Sequence, residues 1–93
     1  MRIYISGSMA SCATTYKKKF DKVAQQVLDN GDIPINPAVL PQWLDHDKYM
    51  PICLAMVDSA DAILMIGDWQ NSKGAKLEKA YAEYQGKKIL YEE

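Results

Sequence analysis

Apolar and polar positions along this chain switch between two periods, and the switches outline its secondary structure. Arg2 to Ser6 reads as a short strand, with Ile3, Tyr4 and Ile5 in a row and Ser6-Gly7-Ser8 stopping it with turn-forming residues. From about Thr14 the period becomes helical. Tyr16, Phe20, Val23, Val27 and Leu28 fall near a 3.6-residue repeat, and Asn30-Gly31 is a C-terminal stop. Asp32 to Asn36 is a second, weaker strand, placed at a sheet edge by Pro34 within it and Pro37 after it. Pro37 to Asp47 is predicted to be irregular. Met50, Cys53, Leu54 and Val57 then give the i, i+3, i+4, i+7 stripe of a second helix.

Asp61 opens a continuous apolar run, Ala62 to Ile66, of the kind covered on both faces in a parallel sheet. Gly67 to Asn71 is a loop, Asn71 or Ser72 can cap the helix that follows, and Leu77, Ala80, Tyr81 and Tyr84 predict its apolar stripe. Gly86 ends that helix and Lys88 to Tyr91 forms a last strand. The order β-α-β-α-β-α-β predicts right-handed crossovers and a three-layer α/β domain of the Rossmann or flavodoxin-like kind. Its four-stranded parallel sheet is expected in the order 2-1-3-4, with helices on both faces.

Ninety-three residues make one domain, 1–93, with a modest core that a homo-oligomer would reinforce. With 48% hydrophobic and 25% charged residues, disorder, a coiled coil and a disulfide scaffold are excluded. The net charge of −1 offers no electrostatic footprint for a nucleic acid polymer or an anionic membrane, so a small molecule is the expected partner. The longest apolar run is far too short to span a bilayer. Met1 leads straight into a strand with no signal peptide, and Cys12 and Cys53 lack metal-ligand spacing. Both read as reduced thiols of a cytoplasmic protein. His46, between Asp45 and Asp47, reads as a solvated turn residue, so neither a metal nor a cofactor is expected.

In an open parallel sheet, ligands bind beyond the carboxyl ends of the strands at the switch point. That rule selects Ser6 to Ala13 and Gly67 to Gly74, loops rich in Gly, Ser and amide side chains. The candidate ligand-binding residues are Ser6, Gly7, Ser8, Met9, Asp68, Trp69, Ser72 and Gly74. Trp69 can stack on a base. Glu78, four residues after Gly74 on the helix, should lie over the turn that contains the glycine, leaving open space beside a carboxylate. A glycine early in a helix costs roughly 0.8–1 kcal/mol relative to alanine, which makes sense if something approaches closely there. Two readings stay open: a ligand approaches Glu78 there, or Gly74 packs on the sheet while Glu78 pairs with a lysine. Trp43 borders the same region or covers a sheet edge. Lys17-Lys18-Lys19 is a solvated helix face, and Tyr81 and Tyr84 read as core or subunit contacts.

Tyr4-Ile5-Ser6-Gly7, Asn36-Pro37-Ala38, Asp61-Ala62-Ile63, Trp69 to Glu78 (WQNSKGAKLE) and Gly86 to Glu92 (GKKILYE) follow one another in this order. Together they resemble a family of small bacterial and phage proteins related to nucleoside 2-deoxyribosyltransferases, over essentially the whole chain. The resemblance implies a glutamate nucleophile, matched by Glu78, that attacks C1′ of the sugar and expels the base, with Tyr4 orienting it. The sugar then passes to another base or to water, the logic of a retaining glycosidase. It also implies that a neighbouring subunit completes the pocket and that Ser72 faces the ligand. Two positions depart from the pattern. Cys53 stands where relatives carry an aspartate on the second helix, and the first loop reads Gly7-Ser8-Met9-Ala10 where Gly-Pro-Met-Thr is more usual. The intact Gly74–Glu78 pair favours cleavage or transfer at an N-glycosidic bond. Cys53 favours a protein that binds a nucleotide-derived molecule without cleaving it, such as a phage sponge for a host nucleotide signal. Asp58 and Asp68 are alternative second carboxylates, between which the sequence does not choose.

Overall fold

Side-chain alternation along the central strands decides the layering in the computed structural model, which describes residues 1–9, 16–41 and 43–92. The chain runs β1 (Arg2–Ser6), α1 (Tyr16–Asp29), β2 (Ile33–Ile35), a 3₁₀ turn (Pro37–Val39), α2 (His46–Asp58), β3 (Ala62–Met65), a 3₁₀ turn (Trp69–Asn71), α3 (Lys73–Tyr84) and β4 (Lys88–Tyr91). The four strands form one parallel sheet in the order β2-β1-β3-β4, the expected topology. Odd positions of β1, Ile3 and Ile5, meet Phe20, Val23 and Val27 of α1 on one face. The even position Tyr4 joins Ile63 and Met65 on the other face, under Cys53 and Val57 of α2 and Ala75 and Ala82 of α3. Helices therefore cover both faces.

Local chemistry explains where the elements stop. The Gly31 N–H donates to the Leu28 carbonyl and the Asp32 N–H to the Val27 carbonyl, with Gly31 at φ 86°, closing α1 in a Schellman motif. Gly86, at φ 73°, closes α3 in the same way through Glu83 and Ala82. Strand β2 is an edge, as its proline requires. Asp58 at the end of α2 receives hydrogen bonds from the Tyr81 hydroxyl (2.9 Å) and the Gln85 amide, which ties α2 to α3.

Several details differ from the sequence pattern. The segment 37–47 is not wholly irregular, because Asn36 caps a 3₁₀ turn through the Ala38 N–H and α2 already begins at His46. The buried stripe of α2 is Tyr49, Cys53 and Val57, while Met50 and Leu54 are half-buried. Strand β3 ends at Met65, one residue early, although Ile66 is buried. Leu28 of α1 is exposed. The largest correction concerns α3, which turns Ala75, Glu78 and Ala82 toward the sheet and leaves Leu77, Ala80 and Tyr84 outside. Two small alanines let this helix approach β1 and β3 closely, which larger side chains would prevent. The expectations for Ala10, Cys12, Ala13 and Thr14 fall outside the described residues, as does the His46 side chain. No helix among the described residues is long and apolar enough to cross a membrane.

Candidate functional site

The carboxyl end of β1 and the first turns of α3 meet at Glu78. Alternation points Tyr4 and Ser6 to the α2–α3 face, and the close approach of α3 brings Glu78 down onto them. The Tyr4 hydroxyl donates to Glu78 Oε2 at 2.8 Å and the Ser6 hydroxyl to Oε1 at 2.6 Å. Each carboxylate oxygen thus has its own hydroxyl donor from one strand. Glu78 is only 6% exposed and Ser6 1%. Burial of an ionisable group is costly unless hydrogen bonds hold it, and here two do.

Cys53 of α2 completes this cluster. It is 2% exposed, and its thiol lies in hydrogen-bonding reach of the Tyr4 hydroxyl and of Glu78. Burial, reinforced by the charge of Glu78, pushes the thiol up from 9.0 to about 11 against the opposing pull of Tyr4. Tyr4 is raised well above its usual 10.0, first by burial and then by the charges of Glu78 and Cys53. Both are therefore neutral donors near pH 7. One helical turn before Cys53, Tyr49 is raised to about 12 by burial and by its hydrogen bond with Tyr16. Its hydroxyl also reaches the Leu40 carbonyl at 3.4 Å. The sequence pattern did not single out Tyr49. The i, i+4, i+8 spacing of Tyr49, Cys53 and Val57 was the available signal.

The other candidates divide by what they touch. Gly7 needs its missing side chain for packing: a Cβ there would lie 2.7 Å from Ile66 Cγ1 and 3.0 Å from the Ile66 carbonyl oxygen. Met9 is half-buried against both core clusters, at the end of the sheet. Ser8 is half-buried beside it. Ser72 caps α3, accepting the Ala75 N–H at 3.2 Å. Gly74 is the second residue of α3, one turn before Glu78. The Trp69 ring packs on Tyr91, with centroids 6.0 Å apart, and carries the Lys79 ammonium 5.7 Å from its centre. Trp69 thus packs both on Tyr91 of β4 and against the core cluster that contains Tyr4. Asp68 is exposed in the loop after β3, and Trp43 is exposed before α2. Asp58 is engaged with Tyr81 and Gln85. No cluster of three or more metal-ligating side chains occurs among the described residues.

A second carboxylate, Glu92, braces the same end of the sheet from the α1 face. It accepts the Gly67 N–H at 2.9 Å and Lys19 Nζ at 2.6 Å. Burial works against its ionisation, but Lys19 and the Gly67 amide outweigh burial and lower its pKa. The loop after β3 is thereby fixed relative to α1 and β4.

The fold is shared with solved structures. No curated protein sequence matches the chain. Among solved structures, a 2-deoxyribosyltransferase from Leishmania mexicana superposes with a TM-score of 0.76 at 19% identity, over 97% of this chain. A CMP N-glycosidase from Clostridium botulinum superposes with a TM-score of 0.69 at 18% identity, over 98% of this chain. The chain spans 62% of the length of the first and 67% of the second. At these identities the likeness is one of fold, a parallel four-stranded α/β sheet with helices on both faces. Over residues 1–91 the sequence matches the family described as Domain of unknown function (DUF4406), and the chain belongs to that family.

Proposed function

We propose that this protein cleaves, or transfers across, the N-glycosidic bond of a nucleoside or nucleotide, with Glu78 as the nucleophile. The observation that carries this reading is the buried Glu78 carboxylate gripped by the Tyr4 and Ser6 hydroxyls at the carboxyl end of β1. The Leishmania and Clostridium proteins of the same fold, a 2-deoxyribosyltransferase and a CMP N-glycosidase, support the same substrate class.

In the proposed reaction one Glu78 oxygen attacks C1′ of the sugar as the C1′–N bond breaks. The bonding pair leaves with the base, which takes up a proton. Water or a second base then attacks C1′, releases the glutamate as a carboxylate and gives up a proton. Tyr4 and Ser6 fix the rotamer of the carboxylate, so that attack begins from a single geometry. In this reading Gly74 leaves room for the sugar beside Glu78, and Gly7, Ser8, Met9, Asp68, Trp69 and Ser72 border the ligand.

A second reading is retention of a nucleotide-derived ligand without cleavage. It is favoured by Cys53, a buried neutral thiol of α2 that feels the charge of Glu78. One experiment separates the two. The purified protein and its Glu78→Gln variant are incubated with nucleosides, nucleotides and cyclic nucleotide signals, and chromatography scores both free base and ligand released intact on denaturation. Base release that disappears in Glu78→Gln supports cleavage. Ligand recovered intact only after denaturation supports retention, and base release unchanged in Glu78→Gln sinks the proposed nucleophile.

A further inference from the structure

The loop between β3 and α3 is held at two points by two consecutive residues at the end of β4. Strand β4 lies in register with β3, from Ala62 beside Lys88 to Met65 beside Tyr91, and the Glu92 N–H donates to the Met65 carbonyl at 2.9 Å. Continued by one rung, this parallel ladder would have the Gly67 N–H donate to the main-chain carbonyl of Glu92. Gly67 instead turns the chain out of the sheet at φ 55°, and its N–H goes to the Glu92 side chain, 2.9 Å from Oε1. The carboxylate stands in for the missing rung at the point where the loop leaves the sheet. Two residues on, the Trp69 ring lies 6.0 Å from that of Tyr91. The other oxygen of Glu92 accepts Lys19 Nζ of α1 at 2.6 Å.

We infer that Glu92 is a positioning residue for ligand binding: through Gly67 it fixes the loop 67–71 as a wall of the site, a role that rests on the glycosidic reading for the ligand's place. Its two contacts differ in worth. The side chains of the Lys19–Glu92 pair are 48% and 26% exposed, and an ion pair so open to water contributes little. The bond from the Gly67 N–H is charge-assisted and joins the loop directly to β4. The acceptor oxygen therefore does the positioning, and Lys19 only orients it. Glu78, by contrast, is gripped by Tyr4 and Ser6 of β1, and neither belongs to this loop. Releasing the loop thus leaves the nucleophile in place and loosens the wall beside it. The effect falls on ligand affinity and not on the chemical step.

The chain's two tryptophans are Trp43 and Trp69, so Trp43→Phe leaves Trp69 as a fluorescent reporter of the loop that needs no ligand. In that background Glu92→Ala should move the emission to longer wavelength and increase its quenching by acrylamide. Glu92→Gln, whose amide oxygen still accepts the Gly67 N–H, and Lys19→Met should both stay close to the parent. Circular dichroism and urea midpoints check folding. If Glu92→Ala does not fold, Glu92→Thr takes its place, a strand former whose side chain is too short to reach Gly67. The same substitutions are then assayed with those nucleosides, nucleotides and cyclic nucleotides that the wild type cleaves or retains. Glu92→Ala should raise KM, or Kd for a retained ligand, about tenfold, with any kcat within about twofold of wild type. Glu92→Gln and Lys19→Met should follow the wild type. Trp69 emission indifferent to Glu92→Ala overturns the inference, and so does a loss in Lys19→Met as large as that in Glu92→Ala. An active wild type whose KM or Kd is unmoved by Glu92→Ala overturns the positioning role alone. A wild type that neither cleaves nor retains any of these compounds overturns the glycosidic reading and the positioning role with it.

Discussion

Ser6 and Glu78, 72 positions apart in sequence, meet at 2.6 Å between the serine hydroxyl and Glu78 Oε1. Two residues earlier on the same strand face, the Tyr4 hydroxyl takes the other oxygen at 2.8 Å. The two-residue period of the strand thus sets the spacing of the two donors, and α3 supplies one carboxylate to both.

Removing one donor leaves a buried carboxylate oxygen short of a partner. Tyr4→Phe keeps the ring packing and deletes only the hydroxyl, so it should destabilise the fold by about 1–3 kcal/mol in urea titrations. Ser6→Ala should do the same. Because both serve one carboxylate, the double variant should lose less than the sum of the singles. On the proposed reaction, both substitutions lower kcat more than they raise KM, since they free the rotamer of the nucleophile and leave the rest of the pocket alone. Strict additivity in stability would mean that the two hydroxyls act on different groups.

Cys53 offers a test with a sign that depends on pH. In Cys53→Asp a second carboxylate sits against Glu78, and two buried like charges at this range cannot both ionise freely. One carboxyl of the pair is then held protonated in the folded protein, with a pKa above its unfolded value. Stability is therefore fully present below the unfolded value, near 4, and is lost as pH rises through the folded one. Urea midpoints of Cys53→Asp should fall further below wild type at pH 8 than at pH 5. Cys53→Ala should show a gap that is the same at both. A pH-independent gap in the aspartate variant would place the new carboxylate away from Glu78.

The relation of Tyr4 to Glu78 entered only through the family resemblance, whereas the strand boundaries of β1 and β4, the edge position of β2 and the strand order were legible in the sequence. They follow from period, turn residues and crossover handedness, which act locally. The inward face of α3 was not legible from its apolar pattern, because periodicity assigns the larger hydrophobes to the core. Here the sheet takes two alanines and a glutamate instead, so that the helix can come close enough for a carboxylate to reach β1. The place of Cys53 at the site entered only through the resemblance, because by its own chemistry a thiol reads as a small hydrophobe until its neighbours are known. Gly7 read as a ligand residue because its clash partner, Ile66, lies on another strand's loop.

That clash makes Gly7→Ala informative. Its Cβ would come within 2.7 Å of Ile66 Cγ1 and 3.0 Å of the Ile66 carbonyl oxygen, so the two strand ends must separate. Their link is the hydrogen bond from the Ile66 N–H to the Ser6 carbonyl at 2.8 Å, and Ser6 holds Glu78. We expect a loss of about 1–3 kcal/mol in urea titrations, as for other overpacked sites. Gly31→Ala is the contrast: nothing lies within 4 Å of its Cβ, and its cost comes only from φ 86°. On the proposed reaction, Gly7→Ala lowers turnover and Gly31→Ala does not. A Gly7→Ala protein as stable as wild type would show that the loop yields freely and that Gly7 serves the ligand alone.

Alkaline stability reports directly on the hydroxyl and thiol cluster. Cys53 is raised from 9.0 to about 11 and Tyr49 from 10.0 to about 12, each chiefly by burial, and Tyr4 is raised as well. Between the unfolded and folded values the folded chain holds protons that the unfolded chain has released. Folding is therefore opposed by rising pH. The stabilisation is complete below about pH 9, where the first unfolded thiol begins to ionise, and drains away through the range up to about 12. Urea midpoints should be level between pH 7 and 8.5 and then decline. In Cys53→Ala the decline should begin about one pH unit later, where the tyrosines take over. The same burial should slow alkylation of Cys53 in the folded protein at pH 8, measured in a Cys12→Ser background so that one thiol is counted, while 6 M urea should restore the rate of an ordinary cysteine. Rapid labelling without denaturant would show that α2 opens readily over Glu78, and the neutral, closed cluster would have to be abandoned.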